Sequence, residues 1–147
     1  MPTPSFVHLD VHSAFSLQAG ACLPEVLVAR AAALGYPALA LTDTDGAYAL
    51  HPFQGFCDAV GVRALHGAEL HDPKGDDRKR HDRAIVLVKD ATGHRSLCHH
   101  LTRRHLDERF TLDDDLAELG AGLVVLTPSP RLLAALHPAC DTGDLYG

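Results

Sequence analysis

Apolar residues recur along the chain in two rhythms, short continuous runs and helical stripes, and most of the runs end in a polar cluster. The first run, residues 6–11, predicts a short buried strand that leads into Asp10-Val11-His12-Ser13. Side chains two apart on a strand point the same way, so Asp10 and His12 share a face. Leu23-Pro24-Glu25 opens a helix, because proline fits the first helical turn and an acidic side chain suits the positive end of the helix dipole. Leu27, Val28, Ala31 and Leu34 keep helical spacing and Gly35 stops it. The run over 36–42 reads as a strand covered on both faces, with Asp43-Thr44-Asp45-Gly46 at its carboxyl end.

A second helix is expected over 48–60, with Phe53, Phe56 and Cys57 on one stripe and Gly61 behind it. The third run, 62–65, ends in His66-Gly67-Ala68-Glu69-Leu70. From 71 to 83 the chain turns polar, an exposed loop in which aspartates offset the Arg78-Lys79-Arg80 triplet. Residues 84–88 form a fourth strand, and Asp90-Ala91-Thr92-Gly93 turns into a helix with Leu97, Cys98 and Leu101 inward. His99, His100, His105 and the nearby arginines fit a solvated basic face of that helix. A connection over 106–111 leads to a short acidic helix whose Asp113, Asp114 and Asp115 form a solvated first turn. A fifth strand over 122–127, a last helix over 130–136 and the approach to another strand at 144–147 complete the order.

Strands alternating with helices predict an α/β fold of mainly parallel strands joined by right-handed crossovers. Strand carboxyl ends then gather on one side, where α/β ligand sites form. That rule groups Asp10, His12, Asp43, Asp45 and Glu69, with His66 as a further candidate. An Asp-x-His pair at a strand end is half of a metal site; His8 falls on the opposite face or caps the N-terminal segment.

Composition narrows the function classes. A chain of 147 residues, 46% hydrophobic, is one domain with a real core. With 19 acidic and 13 basic side chains its charge is −6, so it lacks the positive field that drives non-specific nucleic-acid binding, and DNA would be reached only indirectly. Four scattered cysteines suit reduced thiols. Residues 1–5 do not begin a signal peptide, and no apolar run approaches the roughly 20 residues of a membrane span, so the expected setting is cytoplasmic with no membrane contact. Eleven histidines favour metal or phosphate chemistry.

Three motifs in order, His8-Leu9-Asp10-Val11-His12-Ser13, Thr42-Asp43 and Gly67-Ala68-Glu69-Leu70, resemble the PHP (polymerase and histidinol phosphatase) domain. The stretch Val86-Leu87-Val88-Lys89-Asp90-Ala91-Thr92-Gly93-His94-Arg95-Ser96-Leu97-Cys98 is similar to the alpha subunits of bacterial C-family DNA polymerases, above all their error-prone branch. The resemblance implies a partial, distorted (β/α)7 barrel, with residues 1–147 as its N-terminal part, truncated before the last strands. It implies a place at the N-terminus of a polymerase of DNA replication and repair, and metal ligands at Asp10, His12, Asp43 and Glu69 for Zn, Mn or Mg. Departures accompany the matches: Asp10 replaces a histidine, Thr44 lacks an imidazole, and Arg83 stands where a further histidine is usual. A guanidinium cannot coordinate a cation and would instead balance Asp43 and Glu69. The family's last metal motif, Asp-x-His, falls beyond Gly147.

Three functions follow from these residues. The favoured one is a degenerate, structural PHP domain with an incomplete metal site. The second is an active metal-dependent phosphoesterase or 3′–5′ proofreading nuclease. The third is a free-standing module that binds a replication or repair protein. An open barrel exposes apolar edges, so a homo-oligomer is also expected.

Overall fold

The computed structural model describes residues 6–73, 82–118, 121–138, 140 and 143–147; the Arg78-Lys79-Arg80 triplet, most of the loop expected around it, and residues 1–5 lie outside them. Helix α1 (Pro24–Ala33) begins on its proline after extended Leu23, and the chain leaves it through Gly35 at φ +73°, a conformation glycine adopts without steric cost. Strand β1 (Ala38–Leu41) is buried on both faces, as a continuous apolar run requires. Helix α2 (Leu50–Val60) buries Phe53 and Cys57, while Phe56 lies at the surface, one step off the stripe. Then follow β2 (Arg63–His71), β3 (Arg83–Val88) and α3 (Ala91–Leu106). The side chain of Asp90 caps α3 by accepting the N–H groups of Thr92 and Gly93. Helices α4 (Leu112–Ala117) and α5 (Pro130–Leu136), capped by Thr111 and Ser129, flank β4 (Leu123–Leu126), and β5 (Leu145–Tyr146) comes last.

Among the described residues five strands form one sheet in chain order. β1 pairs with β2 and β4 with β5 in parallel, whereas β3 is antiparallel to both its neighbours. Four strands therefore run one way and one runs against them, a mixed α/β sheet that is mostly parallel. The reversal of β3 corrects the expected crossover: β2 does not stop at residue 65 but runs on to His71, and β3 returns beside it with His71 opposite Arg83. Ala68 and Leu70 continue the buried face of β2, so the strand persists through charged Glu69.

Residues 6–11 are not a regular strand, contrary to their apolar pattern. They lie beside β1 through Ala40 N–H to His8 O at 3.0 Å and Thr42 N–H to Val11 O at 2.9 Å. Three steps on one side span two on the other, and the Thr42 hydroxyl oxygen accepts the Val11 N–H at 3.0 Å. A side chain thus takes a ladder position, which breaks the strand and brings Asp10 and His12 over the end of β1. His8 itself is exposed, with its ring against Phe6 and Tyr36.

The sheet has two apolar faces. Leu39, Leu41, Leu70 and Val86 face the helices with Phe53, Leu97 and Leu132; Ala40, Ile85 and Leu87 form the other face with Leu65, Val124 and Leu126. The first turn of α3 touches the lead into β4 so closely that a Cβ on Gly93 would collide with the Gly122 carbonyl. Two expectations for α3 and α4 change. Cys98 is exposed, not core. His100 and Asp115 are buried, not solvated: His100 Nδ1 is 2.7 Å from Asp115 Oδ2, and Arg103 Nη1 is 3.2 Å from Asp115 Oδ1. Among the described residues no helix is long and apolar enough to cross a membrane.

Candidate metal-binding site

Alternation along β2 sends Glu69 and His71 to the sheet face away from the helices, the same face as Leu65. Glu69 is 3% exposed. Its Oε2 accepts a short hydrogen bond from Arg83 Nη1, which also donates to Asp10 Oδ2 at 3.3 Å. The other oxygens of both carboxylates face imidazoles. His12 Nε2 is 3.1 Å from Asp10 Oδ1 and 3.7 Å from Glu69 Oε1, and His71 Nε2 is 3.2 Å from Glu69 Oε1. On the far side of its ring, His12 Nδ1 is 3.4 Å from the Thr44 hydroxyl. Burial works against the Arg83 charge, but hydrogen bonding and attraction from Glu69, then Asp10, outweigh it and hold its pKa above the ordinary arginine value.

The sequence-predicted residues are not all brought together. Donor atoms of Asp10, His12 and Glu69 lie within 4.8 Å of one another. Asp43 is drawn elsewhere: its oxygens accept Ser13 N–H and Oγ–H, each at 2.7 Å, and Ser16 Oγ–H at 2.6 Å. The arginine expected to balance Asp43 and Glu69 therefore balances Asp10 and Glu69. Asp45, at φ +48°, accepts the His71 N–H at 3.0 Å and an Arg104 N–H at 2.8 Å. His66 lies on the helix side between Phe53 and His94. Its Nε2 is buried without a hydrogen-bond partner, and burial, reinforced by His94, pushes its pKa below the ordinary histidine value. His71 and Ser16 lay outside the motifs, and Ser13 closed the first motif with no role expected of it; of these His71 had a signal, the two-residue step from Glu69.

Residues 8–145 match the family described as PHP domain. The chain belongs to the PHP domain family. This PHP chain is 37% identical over 139 residues to DNA polymerase III subunit alpha of Treponema pallidum (strain Nichols), across 86% of the chain. It is 36% identical over 144 residues to the error-prone DNA polymerase of Anaeromyxobacter sp. (strain K), across 96% of the chain. It spans only 12% of the length of either relative. Among solved structures it is similar to an amidohydrolase from Chromobacterium violaceum with bound sulfate and no metal, at TM-score 0.50 and 30% identity over 65% of this chain and 31% of that one.

The donor set of the PHP chain fits one divalent ion: two carboxylates and an imidazole within a 4.8 Å group. Among the described residues no further donor joins that group. Thr44 offers only a hydroxyl beside His12, the oxygens of Asp43 are committed to the 13–16 turn, and Arg83 sets a permanent positive charge against Asp10 and Glu69.

Proposed function

We propose that this PHP chain is the N-terminal part of the PHP domain of an error-prone bacterial DNA polymerase, where it is a scaffold and not a hydrolase. The observation that carries the reading is Arg83 on Asp10 and Glu69, a built-in cation where the family chemistry needs open coordination sites. Arg83 ties the start of β3 to the N-terminal segment, and Asp43 ties the 13–16 turn to the end of β1. Both links brace the end of the sheet. Asp10, His12 and Glu69 would hold a single Zn, Mn or Mg ion, and such an ion supplies charge neutralisation and acidifies a bound water. The partners would be the remainder of the polymerase, or other replication and repair proteins, in the cytoplasm, with DNA met only through them.

The converging donors of Asp10, His12 and Glu69 favour a second reading, a phosphoesterase or 3′–5′ proofreading nuclease. A direct assay separates the two. Purified chain is incubated with a model phosphate ester, and with a primer-template, in the presence of manganese or zinc, beside a Glu69→Ala control. The scaffold reading expects no turnover above the control; clear turnover that the control abolishes overturns it.

A further inference from the structure

Glu69 Oε1 lies between two imidazoles, with His71 Nε2 at 3.2 Å and His12 Nε2 at 3.7 Å, and His12 Nε2 is 3.1 Å from Asp10 Oδ1. In a tetrahedral zinc site with donor bonds of roughly 2.0–2.2 Å, neighbouring donors stand roughly 3.3 Å apart. Three of the six edges such a site needs lie near that value; His71 stands outside the 4.8 Å group of Asp10, His12 and Glu69, so its ring turns towards the ion to close the others. We propose that His71 is a fourth ligand, with Asp10, His12 and Glu69, of one zinc-class divalent ion, and that Asp45 orients its ring. The proposal rests on the metal-site reading of this PHP chain, not on its scaffold role.

Position and chemistry both support it. His71 follows Glu69 by two residues on β2, so the two share a face, and the imidazole absent at Thr44 is supplied from a different strand. The side chain is 35% exposed, which leaves the ring room to swing onto an ion and leaves the ion a route from solvent. Asp45 Oδ2 is 3.9 Å from His71 Nδ1, and Asp45 Oδ1 accepts the His71 backbone N–H. Arg104 holds the same carboxylate in place. A carboxylate behind the second ring nitrogen sets the tautomer that presents Nε2 as the donor. Arg83 does not block this arrangement, since it binds Asp10 Oδ2 and Glu69 Oε2 and leaves Oδ1 and Oε1 to the imidazole side.

The test titrates the full 147-residue chain with Zn²⁺ by calorimetry and with Co²⁺ by visible absorption. Wild type should take up one equivalent and give the intense visible bands of four-coordinate cobalt. His71→Ala should weaken binding about 10–100-fold and change the cobalt spectrum, and Asp45→Asn should weaken it about 10-fold. Asparagine tolerates the positive φ at position 45, so that variant removes charge without straining the backbone. His99→Ala, at an exposed position on α3, should change nothing. Metal-free melting curves establish that each variant is folded, and His71→Gln replaces His71→Ala if the latter is not. Absence of stoichiometric binding by wild type overturns the proposal, as does a His71 variant with unchanged affinity and spectrum. Neither result bears on the scaffold reading, which is decided by turnover.

Discussion

Glu69 places a carboxylate almost out of reach of water, and its neighbours determine what that costs. Removing the guanidinium in Arg83→Ala leaves Glu69 facing Asp10 without a permanent counter-charge. Because Arg83 is itself 31% exposed, water replaces part of the loss, and the expected destabilisation is about 2 kcal/mol. Denaturant melts of the metal-free chain check this; an unchanged midpoint removes the pairing from the account. His66 gives a pH dependence of definite sign. Its folded pKa lies below the unfolded value of 6.5, so the unfolded chain binds the proton first as pH falls. Its contribution is intact above about pH 6.5 and is lost as pH drops towards the depressed folded value. His66→Phe should flatten that acid-side decline in melting temperature. Burial pushes the Cys57 thiol up to about 11, whereas Cys22 and Cys98 are exposed. Alkylation followed by mass spectrometry at neutral pH should label Cys22 and Cys98 and spare Cys57. At this scale the convergence of Asp10, His12 and Glu69 was anticipated from strand alternation, although residues 6–11 form no regular strand. The diversion of Asp43 was not, since nothing in its own neighbourhood reveals that Ser13 and Ser16, some thirty residues earlier, take its oxygens.

Helices were the most legible elements. Pro24 and Asp90 mark the starts of α1 and α3, and the stripe of α1 sets its inward face through Val28 and Ala31. The direction of β3 was missed, although the chain held the signal: no helical stripe separates 62–70 from 84–88, and two strands without a crossover between them pair as a hairpin. The buried side of α3 was also obscured. His100 belongs to a histidine- and arginine-rich sequence that looks solvated until Asp115 packs against it. That contact predicts a strong effect. Asp115→Ala leaves His100 and Arg103 without their shared carboxylate and should cost about 3 kcal/mol, whereas a His100→Leu/Asp115→Leu pair should cost much less. A double-mutant cycle on thermal or urea unfolding measures the coupling. Gly93→Ala should force α3 away from β4 and lower the melting temperature, because the added methyl meets backbone that cannot rotate aside.

On the scale of the whole molecule, family membership was legible because several motifs occur in order along the chain. The broken edge at residues 6–11 was not, since Thr42 takes over a ladder position through its side chain. Phe6, Phe15, Leu17, Leu23 and Val26, all within the first 26 residues, are 46–88% exposed. Sedimentation of the isolated chain should therefore show self-association that grows with concentration and weakens in Leu17→Ser. The reversed strand has a kinetic consequence. Glu69 and Arg83 are 14 residues apart across one hairpin, but Asp10 and Arg83 are separated by 73. Closing a short loop is entropically cheaper than closing a long one, so the Glu69–Arg83 half should form on the way to the folding barrier and the Asp10 half after it. Arg83→Ala should then slow refolding, while Asp10→Ala should mainly speed unfolding, two opposite limbs of the same chevron for the two ends of one ion pair.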